Sequence, residues 1–301
     1  MQHLLSLEQL GAAEMEGLLD LAARLKQDRR ASPQVLAGQQ WALIFSKSST
    51  RTRVSFEVGI RELGGQSLFL SSADIQLGRG EPIKDTARVL GRMVDGAIIR
   101  TFAQQDVVDF AEFSGIPTIN ALTDDEHPCQ ILADLQTINE RFGSWKGRRV
   151  CFLGDGDCNV ARSWIWASAR LGFELVIGAP KEFQPAADFM ARVPGGTVTV
   201  SDDPAAAVAG ADVLYTDVWV SMGKEDEAAG RIETLRPWQV NAGLLACAKP
   251  GAVVMHCLPA YRGKEITEEV LEAQAGVIFD QAENRLHAQK AVLVELARSR
   301  A

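Results

Sequence analysis

Short, largely apolar runs alternate with stretches of helical periodicity along this chain. The runs are Trp41 to Phe45, Ser67 to Leu70, Gly96 to Arg100 and Thr118 to Asn120, and then Arg149 to Leu153, Glu174 to Ile177, Thr197 to Val200, Val213 to Thr216 and Val253 to His256. Between them, Phe56, Ile60 and Leu63 stand at i, i+4 and i+7, and Ile131, Leu132, Leu135 and Ile138 form a second apolar stripe. Strand, helix, strand in this order demands crossover connections, so the expected class is α/β: mainly parallel sheets flanked by helices. The pattern restarts after Gly147, which divides the chain into αβ halves of residues 1–133 and 134–283 joined by a helix near 130–142. A last helix, with periodicity from about Ala282 to Arg298, occupies residues 284–301 and is expected to return to the first half. Beyond the shared pattern the halves show no internal repeat.

Charge narrows the partners. The 301 residues carry a net charge of −8, which argues against general affinity for nucleic acid or an anionic membrane surface. An anionic ligand would need a local cluster of Arg acting against that field. Cys129, Cys151, Cys158, Cys247 and Cys257 are an odd set with no tight spacing, as expected of reduced thiols in a cytoplasmic protein. His3, His127, His256 and His287 are scattered without an HxxxH or CxxC pair, so no metal site is expected from spacing. Glu8, Glu14, Glu16 and Asp20 interrupt the apolar N-terminus, which excludes both a signal peptide and a membrane span there.

The anion cluster is present in Ser49-Thr50-Arg51-Thr52-Arg53, between the first strand and its helix. Three hydroxyls, two guanidiniums and the free N–H groups of a starting helix fall within these five residues, the makings of a phosphate cradle. Two Arg in a first turn oppose the helix dipole, so a plain N-cap followed by solvated charges accounts for them less well. No Gly-Lys-Ser/Thr follows a Gly-rich loop, so this is not a nucleotide P-loop.

Ser49 to Arg53 followed by Ser55-Phe56-Glu57 resembles the carbamoyl phosphate signature of the aspartate and ornithine carbamoyltransferase family. Three more blocks match in order: His127-Pro128-Cys129-Gln130, Asp217-Val218-Trp219-Val220-Ser221-Met222-Gly223, and His256-Cys257-Leu258-Pro259. The resemblance also covers Lys84 to Arg88 and Asp280 to Arg285, nearly the whole chain. It implies two αβ domains with the active site in the cleft between them, a homotrimer or an assembly of trimers, and no cofactor. It also implies that Ser49, Thr50, Arg51 and Thr52 hold the phosphate, and that Arg100 bridges phosphate and carbonyl oxygen. His127, with Pro128 and Cys129 beside it, would donate to that oxygen. Gln130 and the backbone near Leu258, with a cis Leu258-Pro259 bond, would receive the carbamoyl amine. Arg285 would add positive charge, and Gln76 would come from a neighbouring subunit.

The Ser221-Met222-Gly223 block is that of the family's ornithine branch, in which L-ornithine is the acceptor and L-citrulline the product. On that resemblance Asp217 pairs with the ornithine α-amino group, and Asn159, Ser221 and Met222 hold its carboxylate end. Cys257 stands near the δ-amine as a positioning group or general base. Two positions depart from the family: Cys158 replaces the first Asn of the loop that Asn159 continues, and Ser46 stands where a Glu is common.

Other readings fit less well. A carbamoyltransferase for putrescine or an N-acylated ornithine would alter Ser221 to Gly223, and one for aspartate would need basic residues where Asp217 stands. Gly154-x-Gly156 after a strand invites a dinucleotide-dependent oxidoreductase, but Asn159 takes the third glycine's place and the following strand ends in Gly178-Ala179 without a ribose-binding acid. A non-catalytic relative would be expected to have lost some of Arg51, Arg100, His127, Asp217 and Cys257, and all are present.

Overall fold

Burial turns the apolar runs into strands. The computed structural model describes residues 1–71, 80–220 and 225–299. Its strands are β1 (Gln40–Phe45), β2 (Gln66–Ser71), β3 (Gly96–Arg100), β4 (Thr118–Leu122), β5 (Arg149–Leu153), β6 (Glu174–Gly178), β7 (Val198–Ser201), β8 (Val213–Thr216) and β9 (Val253–His256). Every residue of β3 and β8 is buried, as befits parallel strands covered on both faces. The helices are α1 (Ala12–Gln27), α2 (Thr50–Glu62), α3 (Ile83–Leu90), α4 (Gln104–Ser114), α5 (Pro128–Phe142), α6 (Asn159–Leu171), α7 (Ala187–Arg192), α8 (Pro204–Val208), α9 (Ala228–Leu235), α10 (Ala242–Leu245), α11 (Glu268–Ala273) and α12 (Ala275–Arg298). The chain divides into two compact units, Met1–Gln136 with Glu283–Ala301, and Thr137–Ala282.

In the first unit the sheet order is β2-β1-β3-β4, all parallel. Ala42, Ile44, Ala97 and Ile99 pack with Ala87, Val107 and Phe110, and burying a side chain of Phe size contributes roughly 2–3 kcal/mol. Gly96 is obligatory, because a Cβ there would lie 2.5 Å from the Trp41 ring. Beside β4 the N-terminal segment adds one parallel bridge, Leu4 to Ile119. The second unit has the order β7-β6-β5-β8-β9, again all parallel. Leu153, Leu214, Trp219, Leu235, Trp238 and Val254 belong to its core.

Both sheets contain a switch point. In the first, β1 leads to β2 on one side and β3 to β4 on the other; in the second, β5 leads to β6 and β8 to β9. Loops leaving such adjacent strands diverge and open a crevice at their carboxyl ends, where α/β proteins bind ligands. Ser46 to Ser49 leave β1 and Arg100 ends β3, while Gly154 to Cys158 leave β5 and Asp217 follows β8.

Some boundaries differ from the sequence expectation. Helix α5 starts at Pro128 rather than Gln130, since Pro suits the first helical position. Helix α12 starts at Ala275, well before Ala282. No helix among the described residues is long and apolar enough to cross a membrane.

Candidate active site

In the first unit the cradle is a capped helix start. Ser49 is extended (φ −161°, ψ 119°), and its hydroxyl accepts from the Thr52 N–H at 3.2 Å. Arg51 and Thr50 follow in the first turn, whereas Arg53 turns away, its Nε 2.8 Å from Glu57 and its guanidinium 3.6 Å above the Phe69 ring. The Ser46 N–H donates to the Arg100 carbonyl at 2.8 Å, tying the cradle loop to the end of β3. Arg100 itself is buried.

Two buried groups extend the cradle. Arg285 of α12 donates to Gln130 Oε1 at 2.6 Å and to Thr52 Oγ1 at 3.1 Å, so one guanidinium joins two of the other residues singled out above. Gln130 in turn donates to Asp134 at 2.8 Å. Lys47, not anticipated from the sequence, is buried, pairs with Asp124 and lies 4.3 Å from the Phe102 ring centroid. Its position two residues before Ser49 was the available signal.

His127 is buried immediately before Pro128. Burial, and then the charges of Arg285, Arg100 and Arg51, hold its pKa well below the usual 6.5. Three guanidiniums from α12, β3 and α2 therefore act on this ring, which stays neutral near pH 7 and carries one N–H to donate. The Cys129 side chain points elsewhere: it donates to the Asn120 carbonyl at 3.5 Å, is fully buried, and has its pKa pushed up to about 12 by that burial. Any contact it makes with a ligand must come from its backbone.

In the second unit Asp217 leaves β8 with Oδ1 accepting from the Val218 N–H at 2.7 Å and the Cys257 thiol at 2.9 Å. Burial raises its pKa. Cys257 follows β9, and the next residue, Leu258, has φ +60° ahead of a cis Leu258-Pro259 bond, as the resemblance implied. A residue missed in the sequence organises this turn. Glu265, fully buried, lies 3.2 Å from His256 Nε2 and accepts from the Tyr261 N–H at 2.5 Å. The Leu258 N–H donates to His256 Nδ1 at 2.9 Å, which assigns the ring proton to Nε2.

Asp217, His256 and Cys257 offer metal-ligand atoms within 4.8 Å of one another, a grouping their sequence spacing did not suggest. Both ring nitrogens of His256 are engaged, so Asp217 and Cys257 are left, short of a tetrahedral zinc set. Chemically the pair suits an amine: a carboxylate to hold it and a thiol beside it.

Asn159 is the first residue of α6, and Cys158 is its N-cap, Sγ accepting from the Ala161 N–H at 3.5 Å. Burial first, then the negative charges of Asp155 and Asp217, pushes the Cys158 thiol well above its ordinary pKa. Where the family has Asn, this chain thus keeps a capping side chain that stays protonated. Gln76, Ser221 and Met222 lie outside the described residues.

The loops after β5 and β8 are joined by one cation that the sequence did not reveal. Arg231 of α9 is buried, pairs with buried Asp155 and donates from Nε to the Trp219 carbonyl at 2.7 Å. Arg231→Met leaves that carboxylate buried without its partner, and loss of about 3–5 kcal/mol of unfolding free energy is expected. Urea titration at pH 7 checks this; a loss below about 1 kcal/mol would mean that water reaches Asp155 and compensates.

Two family profiles match the chain. Residues 2–140 match the aspartate/ornithine carbamoyltransferase carbamoyl-P binding domain, and residues 146–296 match the aspartate/ornithine carbamoyltransferase Asp/Orn binding domain. The chain is 62% identical to the ornithine carbamoyltransferase of Akkermansia muciniphila, over 100% of this chain and 99% of that protein. It is 50% identical to that of Methanoculleus marisnigri over 97% and 96% respectively. Among solved structures, ornithine carbamoyltransferase from Pyrococcus furiosus matches with a TM-score of 0.92 at 46% identity, covering 97% of this chain and 96% of that one. The anabolic ornithine carbamoyltransferase from Campylobacter jejuni matches with a TM-score of 0.94 at 40% identity, covering 99% and 100%.

Proposed function

The chain belongs to the aspartate/ornithine carbamoyltransferase family, and from that premise we propose that it carbamoylates the δ-amine of L-ornithine. It takes the carbamoyl group from carbamoyl phosphate and releases L-citrulline and phosphate. The observation that carries the choice of acceptor is the Asp217–Cys257 pair at 2.9 Å. An acidic loop binds an ammonium group, whereas aspartate would bring a second carboxylate into it. The curated relatives named ornithine carbamoyltransferase support the same choice.

In this reading the first unit binds carbamoyl phosphate. The N–H groups at the start of α2, with the side chains of Ser49, Thr50, Arg51 and Thr52, take the phosphate. Arg100 spans phosphate and carbonyl oxygen, and neutral His127 donates to that oxygen. Pro128 starts the helix that holds His127, the Cys129 backbone lies beside it, and Gln130, oriented by Arg285, receives the carbamoyl NH2 together with the Leu258 carbonyl. The second unit binds ornithine: Asp217 on the α-amino group, Asn159, Ser221 and Met222 on the carboxylate end, Cys257 near the δ-amine.

The reaction follows from these contacts. A δ-amine has a pKa near that of Lys, about 10.4, so it must shed a proton before its lone pair can attack. Attack moves the carbonyl π electrons onto oxygen, where Arg100 and His127 stabilise the new negative charge; one such donor is typically worth about 3–4 kcal/mol of barrier. Collapse re-forms C=O and breaks the C–O bond to phosphate, whose charge the cradle already neutralises. The nitrogen's remaining excess proton leaves to solvent or to phosphate.

We place the enzyme in the cytoplasm, in arginine biosynthesis, the direction that the anabolic label of the Campylobacter jejuni relative supports. We also propose a homotrimer or an assembly of trimers, with Gln76 serving a neighbouring subunit's site; sedimentation of purified protein at the 32.7 kDa of one chain would remove this proposal.

Citrulline production from carbamoyl phosphate tests the acceptor. L-Ornithine is expected to exceed putrescine, N-acetyl-L-ornithine and L-aspartate by at least about 10³-fold in kcat/KM, since an unpaired buried charge costs on the order of 4 kcal/mol. Preferential use of a competing amine would keep the phosphate half of the assignment and overturn the ornithine half.

A further inference from the structure

The polar groups around the His127 turn lead away from the cradle, toward the N-terminus. Glu126 is buried, and its carboxylate accepts from the Ser6 hydroxyl and, at 2.9 Å, from the Leu7 N–H. The turn it sits in is closed on itself. The Thr123 N–H donates to the Glu126 carbonyl at 2.9 Å, and the Glu126 N–H donates to Thr123 Oγ1 at 3.2 Å. Thr123 Oγ1 donates to Gln104 Oε1 at 2.7 Å, while Gln104 Nε2 and Asn120 Nδ2 each donate to the Leu5 carbonyl at 2.9 Å. Leu4 bonds both sides of the β4 edge, giving its N–H to Thr118 and its carbonyl to Asn120. Residues 4–7 thus form one buried network with the turn that ends at His127.

We propose that Glu126 is a positioning residue for His127, fixing the turn that carries the imidazole against the N-terminal segment. This rests on the reading of His127 as the donor to the carbamoyl oxygen. The ionised carboxylate matches two donors, and charge-assisted bonds are about twice as strong as neutral ones. The turn is therefore held more firmly when Glu126 is charged. Burial opposes that charge and pushes the pKa up from 4.5 to about 7, with like charges of Glu8 from the N-terminal turn and Asp125 from its own turn adding to the rise. Gln104 of α4, Asn120 of β4 and Thr123 of the turn itself do not titrate, and His3 accepts from the Thr118 N–H at 3.2 Å on the same edge. His127, next in the chain, stays neutral.

The test compares wild type with Glu126→Gln, Glu126→Ala and His127→Asn, measuring kcat and both KM values from pH 5.5 to 8.5. Gln keeps the shape, donating to Ser6 and accepting from Leu7, but does not titrate. The expected result is a ratio of kcat for Glu126→Gln over wild type that falls from near 1 at pH 5.5 to about one third or less at pH 8.5, with KM for ornithine within twofold. Using the ratio cancels the titration of the ornithine amine. Glu126→Ala is expected to lose roughly 10-fold or more in kcat at pH 8.5. A ratio independent of pH overturns the proposal, even where Glu126→Ala fails to fold. Should His127→Asn keep wild-type kcat, the role of His127 itself is wrong; a large loss there with a flat Glu126→Gln ratio removes only Glu126.

Discussion

Arg100→Met is expected to lower kcat by about 10²–10³-fold while KM for ornithine stays within twofold. Arg100 ends β3 level with Phe45, at the first sheet's switch point, and is buried. A Met side chain fills nearly the same space without the fork of donors. In the proposed reaction Arg100 meets charge that develops on the carbonyl oxygen and on departing phosphate, so the loss belongs in kcat rather than in the binding of ornithine. Steady-state rates at saturating carbamoyl phosphate with ornithine varied give both parameters. A fall of less than tenfold would take Arg100 out of the transition state.

The second large effect belongs to the other substrate. Asp217→Asn is expected to raise KM for ornithine by about 10²–10³-fold, since truncating one partner of a buried charge pair costs roughly 2–5 kcal/mol. Affinity for carbamoyl phosphate, measured by calorimetry without ornithine, is expected within twofold of wild type. Burial raises the Asp217 pKa, so on acidification it takes up a proton earlier than an exposed Asp does. Wild-type KM for ornithine therefore climbs as pH falls through that raised pKa, and the Asn variant loses this acid limb. An acid limb of equal size in both proteins would mean that another group binds the amine.

The elements most legible in the sequence were those that burial alone decides. Gly96 to Arg100 and Val213 to Thr216 read as strands because every residue in them is covered. The edge strand β7 lies one residue later than the sequence pattern predicts: only its ends are half-buried and its middle is exposed, so little apolar patterning marks its register. Helix α12 begins before its periodicity predicts because its first turns carry Gly276, exposed Phe279 and Asp280, which break the stripe on which periodicity depends.

For the candidate site, the motif blocks supplied the residues to look for, and the fold placed Arg51, Arg100 and Arg285 within electrostatic reach of His127. What stayed hidden were partners distant in sequence. Lys47 and Asp124 are 77 residues apart, and Arg231 and Asp155 are 76 apart. Glu265 sits in an unremarkable Gly-Lys-Glu stretch. Nothing local in such residues distinguishes a buried counter-charge from a solvated one, because what decides the matter is burial by chain that lies elsewhere.

The first unit is discontinuous: Met1–Gln136 is completed by Glu283–Ala301. A ribosome makes the residues in order, and at roughly 5–20 residues per second the last helix follows residue 136 by some 10–30 s. During that interval Thr52 and Gln130 exist without Arg285, and Glu62 and Ser32 exist without Lys290, the fully buried ammonium that bonds both. Thr137–Ala282, by contrast, is a single stretch and is available in full before the other unit is. Translation thus finishes the cradle last, and an interrupted chain leaves a cradle lacking one of its cations.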